Sequence, residues 1–433
     1  MTSSVCNELP QYPNSWYAAT APMTKAREAL VGNSKADICV IGAGLTGLSA
    51  ALHLAQLGRR VIVLEARRIA YGASGRNGGQ LNSGQSLDQD VLERRIGVSD
   101  AKKLWLLAEE AKHLVKTLIA RHKIDCHLRP GVARVGFKSR DTTKLYKYAE
   151  LLREKYDYEQ IETVDANAMR DLSPASVYHG GMVDWGAAHL HPLKFVVGLA
   201  SVAEAAEAKI YELTTANSIN ASRPLEVITD NGKVLADFVI LACNGYLGQL
   251  NQQVAKRVYP IHNYIIATAP LKDEAKQILT QDIAVFDTQF VVNYFRLSHD
   301  NRLLFGGGES SSDQQNPTIE SLVRRPMKRI FPHLKRVIID YAWGGKLAIT
   351  RSRFPYFAQL APNVFTASGY SGHGLGTATH AGMLMARAIA GDSASFDTMA
   401  RFAPKPLPGG TNLSTPLLRL ALCWYALRDR LGF

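Results

Sequence analysis

Cysteine is sparse in this sequence and carries no pattern. Cys6, Cys39, Cys126, Cys243 and Cys423 are scattered over 433 residues without a C-x-x-C spacing. That scatter excludes a disulfide framework and indicates a reducing compartment. Cys39 and Cys243 fall in apolar, strand-like runs, where a thiol behaves as a small hydrophobe. No stretch approaches the roughly 18 consecutive apolar residues of a membrane span. The polar N-terminus has no signal-peptide apolar core, so a cytoplasmic protein is expected. Acidic residues are in deficit, 38 against 50 Lys and Arg, for a net charge of +12. The basic residues are dispersed, so the surplus reads as a solvated basic surface and no nucleic-acid partner is expected. His189 and His191 straddle one residue, yet no cysteine or acid cluster accompanies them, so no metal is expected.

What is present centres on residues 36–66, ADICVIGAGLTGLSAALHLAQLGRRVIVLEA. Ile38, Val40 and Ile41 lie in an apolar run that ends at glycine, the pattern of a buried parallel strand. Gly42, Gly44 and Gly47 form G-x-G-x-x-G. The first permits a tight turn, the second lets a pyrophosphate approach the backbone, and the third lets the next helix pack on the strand. Leu45, Leu48, Leu52 and Ala55 recur at helical spacing, so the helix begins at the loop and turns its positive end toward phosphate. Val61 to Leu64 form a second buried strand, ending at Glu65, where a carboxylate can accept hydrogen bonds from a ribose hydroxyl pair. A dinucleotide site follows from this order.

The rest of the chain alternates in texture. Residues 66–85 are a Gly/Ser/Asn-rich loop, of the kind that carries function. Residues 88–123 have a helical pattern with Leu104, Leu107, Ala111 and Leu114 on one face. Residues 126–138 read as a turn and a strand, and 141–155 as a helix. Residues from 180 read as a turn before a strong helix with Pro192 near its start. Strand ends near 41, 64, 213 and 242 suit one mostly parallel sheet. From Tyr259 the sequence becomes strand-rich through 289–310 and 336–350, with Ser298-His299-Asp300-Asn301 as a hairpin turn. An antiparallel sheet is expected there. The segment 363–391 repeats strand, glycines, helix. The tail, 409–433, is amphipathic, either docked on the protein or touching a membrane surface.

These residues resemble the flavin-dependent amine and amino-acid oxidases related to D-amino-acid oxidase, glycine oxidase and sarcosine oxidase. The resemblance spans nearly the whole chain. It is carried by VIGAGLTGLSAALHLA with Glu65, GASGRNGGQ (72–80), LACNGYLG (241–248), WGGKLAITRSRFP (343–355) and GYSGHGLG (369–376). It implies an α/β Rossmann-like FAD-binding domain, discontinuous over 1–90, 165–248 and 343–433. An α+β substrate domain with a mostly antiparallel sheet would occupy 91–164 and 249–342. Gly42, Ala43, Gly44, Thr46 and Gly47 would hold the pyrophosphate, and Glu65, Ala66 and Arg67 the adenosine ribose. Ser74, Arg76, Asn77, Gly79 and Gln80 would run along pyrophosphate and flavin, and Ala216 would meet adenine through its backbone. Gly345, Gly372, His373, Gly374 and Leu375 would close around the flavin. No cysteine lies in 343–350, where some relatives tether the cofactor, so noncovalent FAD is expected. Gly376 stands where sarcosine-oxidase-like relatives often carry lysine, which leaves oxygen or another electron acceptor open.

ARRIAYGASGRNGGQ, IDCHLRPG, DNRLLFGGG and LRDRLGF resemble the branch of the family that acts on gamma-glutamylputrescine. The resemblance implies oxidation of a primary amine to an imine, hydrolysis to aldehyde and ammonia, and hydrogen peroxide if oxygen is the acceptor. Candidates for contact with the reaction are His373 in the glycine loop, Lys346 beside the flavin, and Tyr294 and Arg296 on the substrate-domain sheet. An arginine there suits a substrate carboxylate, bidentately. A D-amino-acid or N-methyl-amino-acid oxidase would need such a basic group beside the reacting carbon. For gamma-glutamylputrescine the carboxylate is remote, so the pocket must be long. A flavoprotein whose FAD is only structural is the third reading. Substrate, acceptor and oligomeric state are left open by these motifs.

Overall fold

The computed structural model describes residues 12–22, 25–310 and 319–406. The amphipathic tail, Cys6 and Cys423 lie outside them. Two sheets organise the chain. The first has eight strands and a parallel centre: Val364–Ser368, Gly232–Leu241, Gly32–Ile41, Val61–Leu64 and Lys209–Tyr211 lie side by side in that order. Tyr356–Ala361 closes one edge antiparallel. The predicted strand ends near 41, 64, 213 and 242 therefore share one sheet. Its inner strands are buried on both faces, as Val40 and Ile240 show on one and Cys39 and Val239 on the other, which is why they read as continuous apolar runs.

Helix Leu45–Gln56 is buried along nearly its whole length. It lies between helices Gly374–Ile389 and Pro192–Ala205. Gly97 breaks the long helical pattern of 88–123 into Gln89–Ile96 and Val98–His122.

The second sheet has nine strands. Ile339–Ile349, Tyr259–Thr268, Leu303–Ser310, Tyr294–Leu297, Ala284–Asp287, Arg129–Val135 and Gly181–His189 follow one another. All these neighbours are antiparallel except Arg129–Val135 with Ala284–Asp287. The hairpin turn at 298–301 forms as the sequence predicts, with Asn301 N donating to Ser298 O at 3.0 Å. One reading is corrected. The stretch expected to begin with a turn at 180 is the strand Gly181–His189, clamped by Arg129–Val135, Ile161–Val164 and Gln80–Leu81. Its glycines and short side chains mask a strand that only these non-local partners create. This strand lies in the second sheet although it falls within 165–248, and Ile339–Ile349 straddles residue 343.

His191 is buried at the start of helix Pro192–Ala205. Its Nδ1 accepts from Lys194 N at 3.2 Å and its Nε2 lies 3.0 Å from Thr20 Oγ1. Burial, then the Arg296 charge, pushes its pKa from the ordinary 6.5 to about 2. Burial lowers His189 in the same direction. Below pH 6.5 the unfolded chain binds a proton at His191 and the folded chain does not, so stability is lost as the pH falls. Between pH 7 and 5 His191 is expected to cost about 2 kcal/mol. Urea unfolding at both pH values checks this: His191→Asn should show a shallower loss than the parent, and an equal loss would refute it. Among the described residues no group of three or more His, Cys, Asp or Glu could hold a metal ion.

Candidate active site

The first glycine loop is built by close approach. Gly42 has φ +107°, and a Cβ there would sit 2.8 Å from Ala242 O. A Cβ on Gly47 would lie 1.9 Å from Gly42 O. The following helix has no side-chain cap of its own at Gly44. Ser74 supplies one from the neighbouring loop, its Oγ accepting from Leu45 N at 3.1 Å. Asn77 staples that loop: its Nδ2 donates to the carbonyls of Ala73 and Ser74, and its Oδ1 accepts from Gly79 N at 2.8 Å. Thr46 Oγ1 shares a 2.7 Å hydrogen bond with Tyr370 OH, which ties this loop to the second glycine loop.

Glu65 ends the Val61–Leu64 strand. Its Oε2 accepts from Ala43 N and its Oε1 from Arg67 N, both at 2.9 Å. Burial raises its pKa above the usual carboxylate value, against the pull of those two donors. Behind it sits a group that sequence reasoning missed. Glu212, fully buried, accepts from Arg27 N at 2.8 Å, Ile69 N at 2.7 Å and Arg68 Nε at 2.9 Å. It anchors the turn that follows Glu65.

Between the two sheets lies a cavity of about 530 Å³. It brings together Gly44, Thr46, Ser74, Arg76, Asn77 and Gln80 from the first glycine region, Gly372, His373, Gly374 and Leu375 from the second, and Gly345 from the Ile339–Ile349 strand. Tyr294 joins them from the second sheet, its hydroxyl donating to Asn263 Oδ1. Gln80 Nε2 donates to Val285 O at 3.0 Å. Gly42, Ala43, Gly47, Glu65 and Gly79 stand outside this lining. Ala66 and Arg67 are exposed, and Ala216 opens a strand paired with Leu225–Thr229.

Two candidates for the reaction are not at the cavity. Arg296 is buried, but its Nε donates to Gly78 O at 3.2 Å and its Nη2 to Leu190 O at 3.1 Å and Tyr17 OH at 3.3 Å. Its fork is spent on holding the loop, not on a ligand. Lys346 lies between Gly345 and Leu347, which border the cavity. Strand alternation turns it to the other face, with Nζ 5.6 Å from the Tyr246 ring centre. That alternation was available in the sequence.

His373 borders the cavity. Burial lowers its pKa, opposed by a hydrogen bond to the Ser83 backbone, so the ring is neutral at neutral pH. Its Nε2 is buried without a protein partner. The same holds for Arg76 Nε and Nη2, while Arg76 Nη1 donates to Gly344 O at 3.1 Å.

A strand–glycine–helix cradle opening into a cavity beneath a mostly antiparallel sheet is the arrangement of a dinucleotide-dependent oxidoreductase. The chain belongs to the FAD-dependent oxidoreductase family, DAO, whose model matches residues 37–388. It is 39% identical to the gamma-glutamylputrescine oxidoreductase of Escherichia coli (strain K12), covering 98% of this chain and all of that protein. It is 40% identical to a probable oxidoreductase, OrdL, of Rhizobium meliloti (strain 1021), over 96% of this chain and 97% of that protein. Glycine oxidase from Geobacillus kaustophilus is similar in fold, with a TM-score of 0.73 at 20% identity, over 87% of this chain and all of that one. The chain is thus a FAD-dependent oxidoreductase.

The residues present fit that cofactor. The buried, unpartnered guanidinium N–H groups of Arg76 require a polar acceptor, and a pyrophosphate or flavin edge provides one. Gly372 has φ +92° with nothing within 4 Å of a built Cβ, so it leaves room beside the loop. When bound, FAD supplies the two-electron acceptor. This chain's part is to hold it, align a substrate carbon and keep water out.

Proposed function

We propose that the chain oxidises the primary amine of gamma-glutamylputrescine, or a similar long amine, to the aldehyde with release of ammonia. The observation that carries this is the reach of the cavity. It runs from Gly44 and the Gly372–Leu375 loop out to Leu152, Ile161 and Asp184 under the second sheet. With FAD held at the glycine loops, a short amino acid would still fall short of Leu152, Ile161 and Asp184 and would need a basic group beside its reacting carbon. Arg296 and Lys346, the candidates for that group, are turned to other tasks. The 39% identity to the Escherichia coli oxidoreductase supports the same substrate class.

An amine reacts as the free base, because an ammonium has no lone pair. Neutral His373, with Nε2 buried and unpartnered, can accept a hydrogen bond from the free amine. Tyr294 and its bond to Asn263 form the facing wall. Cys39, Cys126 and Cys243 do not line the cavity, which fits FAD held without a covalent link. No described helix is long and apolar enough to cross a membrane, and the reducing compartment read from the cysteines suits a cytoplasmic enzyme. Oxygen and another electron acceptor are both compatible with the proposal.

Anaerobic mixing with gamma-glutamylputrescine, putrescine, D-alanine and sarcosine tests it. Rapid loss of the oxidised flavin absorption with gamma-glutamylputrescine, and slow or no loss with the others, is expected. Faster reduction by D-alanine or sarcosine would refute the substrate class. No reduction by any of the four would point to a structural flavin.

A further inference from the structure

One wall of the cavity is a face of the second sheet, and it carries charge. Arg134 reaches the cavity from Arg129–Val135, and Asp184 from Gly181–His189. The register pairs Arg134 with Met182 and Val132 with Asp184. Arg134 and Asp184 are therefore diagonal neighbours on one face, roughly 7–8 Å apart along such a diagonal.

Each is held in place, Arg134 incompletely. Arg134 Nη1 donates to Asp88 Oδ1 at 2.7 Å, while Arg134 Nε is buried with no partner. Its guanidinium lies 5.9 Å from both the Tyr148 and Phe286 ring centres, so its plane is confined. Asp184 Oδ1 accepts from Tyr158 OH at 2.5 Å and Ala187 N at 2.9 Å. Lys112 Nζ in turn donates to Tyr158 OH at 3.0 Å. An orphan N–H on a buried cation costs free energy unless a ligand accepts from it. A carboxylate held rigidly one diagonal away, and not paired with that cation, supplies the opposite charge.

We propose that Arg134 and Asp184 form the subsite for the α-amino-acid head of the substrate, a deepening that rests on the reaction proposed above. The Nε edge of Arg134 takes the α-carboxylate, and Asp184 takes the α-ammonium. The two charges of an amino-acid head sit on one carbon, so one diagonal pair engages both. The subsite also favours gamma-glutamylputrescine over free putrescine, which is too short to reach it and has no zwitterionic head to engage either charge.

The test uses the FAD-loaded enzyme and L-gamma-glutamylbutylamide, which has the head but no reactive amine. Calorimetry should show binding by the parent, and at least tenfold weaker binding by both Arg134→Met and Asp184→Asn, with Arg134→Lys between. In turnover, KM for gamma-glutamylputrescine should rise at least tenfold in Arg134→Met and Asp184→Asn. Values for N-acetylputrescine, which lacks the zwitterion, should move less than twofold. Unchanged flavin content marks correctly folded variants, and Asp184→Asn keeps a group able to accept from Tyr158 should Arg134→Met fold poorly. The proposal is overturned if the parent does not bind the amide, if both variants bind it like the parent, or if both substrates are affected alike. Binding of the amide by the parent and its loss in the variants, without oxidation of gamma-glutamylputrescine, would leave this subsite standing and remove the reaction instead.

Discussion

Glu212→Ala is expected to lower folding stability by about 3–5 kcal/mol, the range for breaking a buried ion pair by deleting one partner. Glu212 has no exposed surface. Its two oxygens serve the backbone amides of Arg27 and Ile69 and the guanidinium of Arg68, with Arg27 Nη1 at 3.8 Å. Alanine would strip a carboxylate from two guanidiniums and unsatisfy two buried N–H groups at once. The effect reaches the cofactor loop through the chain. Leu213 N donates to Arg67 O and Thr214 N to Glu65 O, so the turn after Glu65 is laid against the Glu212 strand. Chemical denaturation of the FAD-loaded protein checks the loss. Glu212→Gln keeps the shape without the charge and should lose less. A change under about 1 kcal/mol in Glu212→Ala would contradict this account.

Gly47→Ala is expected to give protein that purifies with little FAD and regains activity only with a large excess of added cofactor. The new Cβ would lie 1.9 Å from Gly42 O and 3.1 Å from Val40 Cγ1. Backbone cannot yield as a flexible side chain can. Helix Leu45–Gln56 must lift from the strand, and its N–H groups then leave the positions that phosphate requires. The flavin-to-protein absorbance ratio and an FAD titration read this directly. A loss of at least tenfold in affinity is expected, about 1.4 kcal/mol or more. Protein as yellow as the parent would show that the third glycine is dispensable.

The cofactor half of the molecule was legible because its signals are local. Buried parallel strands read as apolar runs, G-x-G-x-x-G lies on consecutive residues, and Glu65 ends the strand that follows. The hairpin at 298–301 was legible for the same reason. The substrate half was not. Gly181–His189 looked like a turn because its pairing comes from strands some 20 to 100 residues away in the chain. The sequence places Arg296 on a strand that suits a carboxylate, and only the packed loop reveals that backbone carbonyls already occupy its fork.

The sequence by itself determined an α/β dinucleotide cradle, which rests on short-range periodicity and spacing, and its resemblance to the amine and amino-acid oxidases implied FAD and the family. The tertiary structure alone decided which charged groups meet the ligand. A charged side chain on a strand carries no local mark of what it will face. Arg134 and Asp184 acquire their role only when non-local strand pairing sets them on one face of the second sheet, and Glu212 only when burial beside the first sheet removes water as its alternative partner.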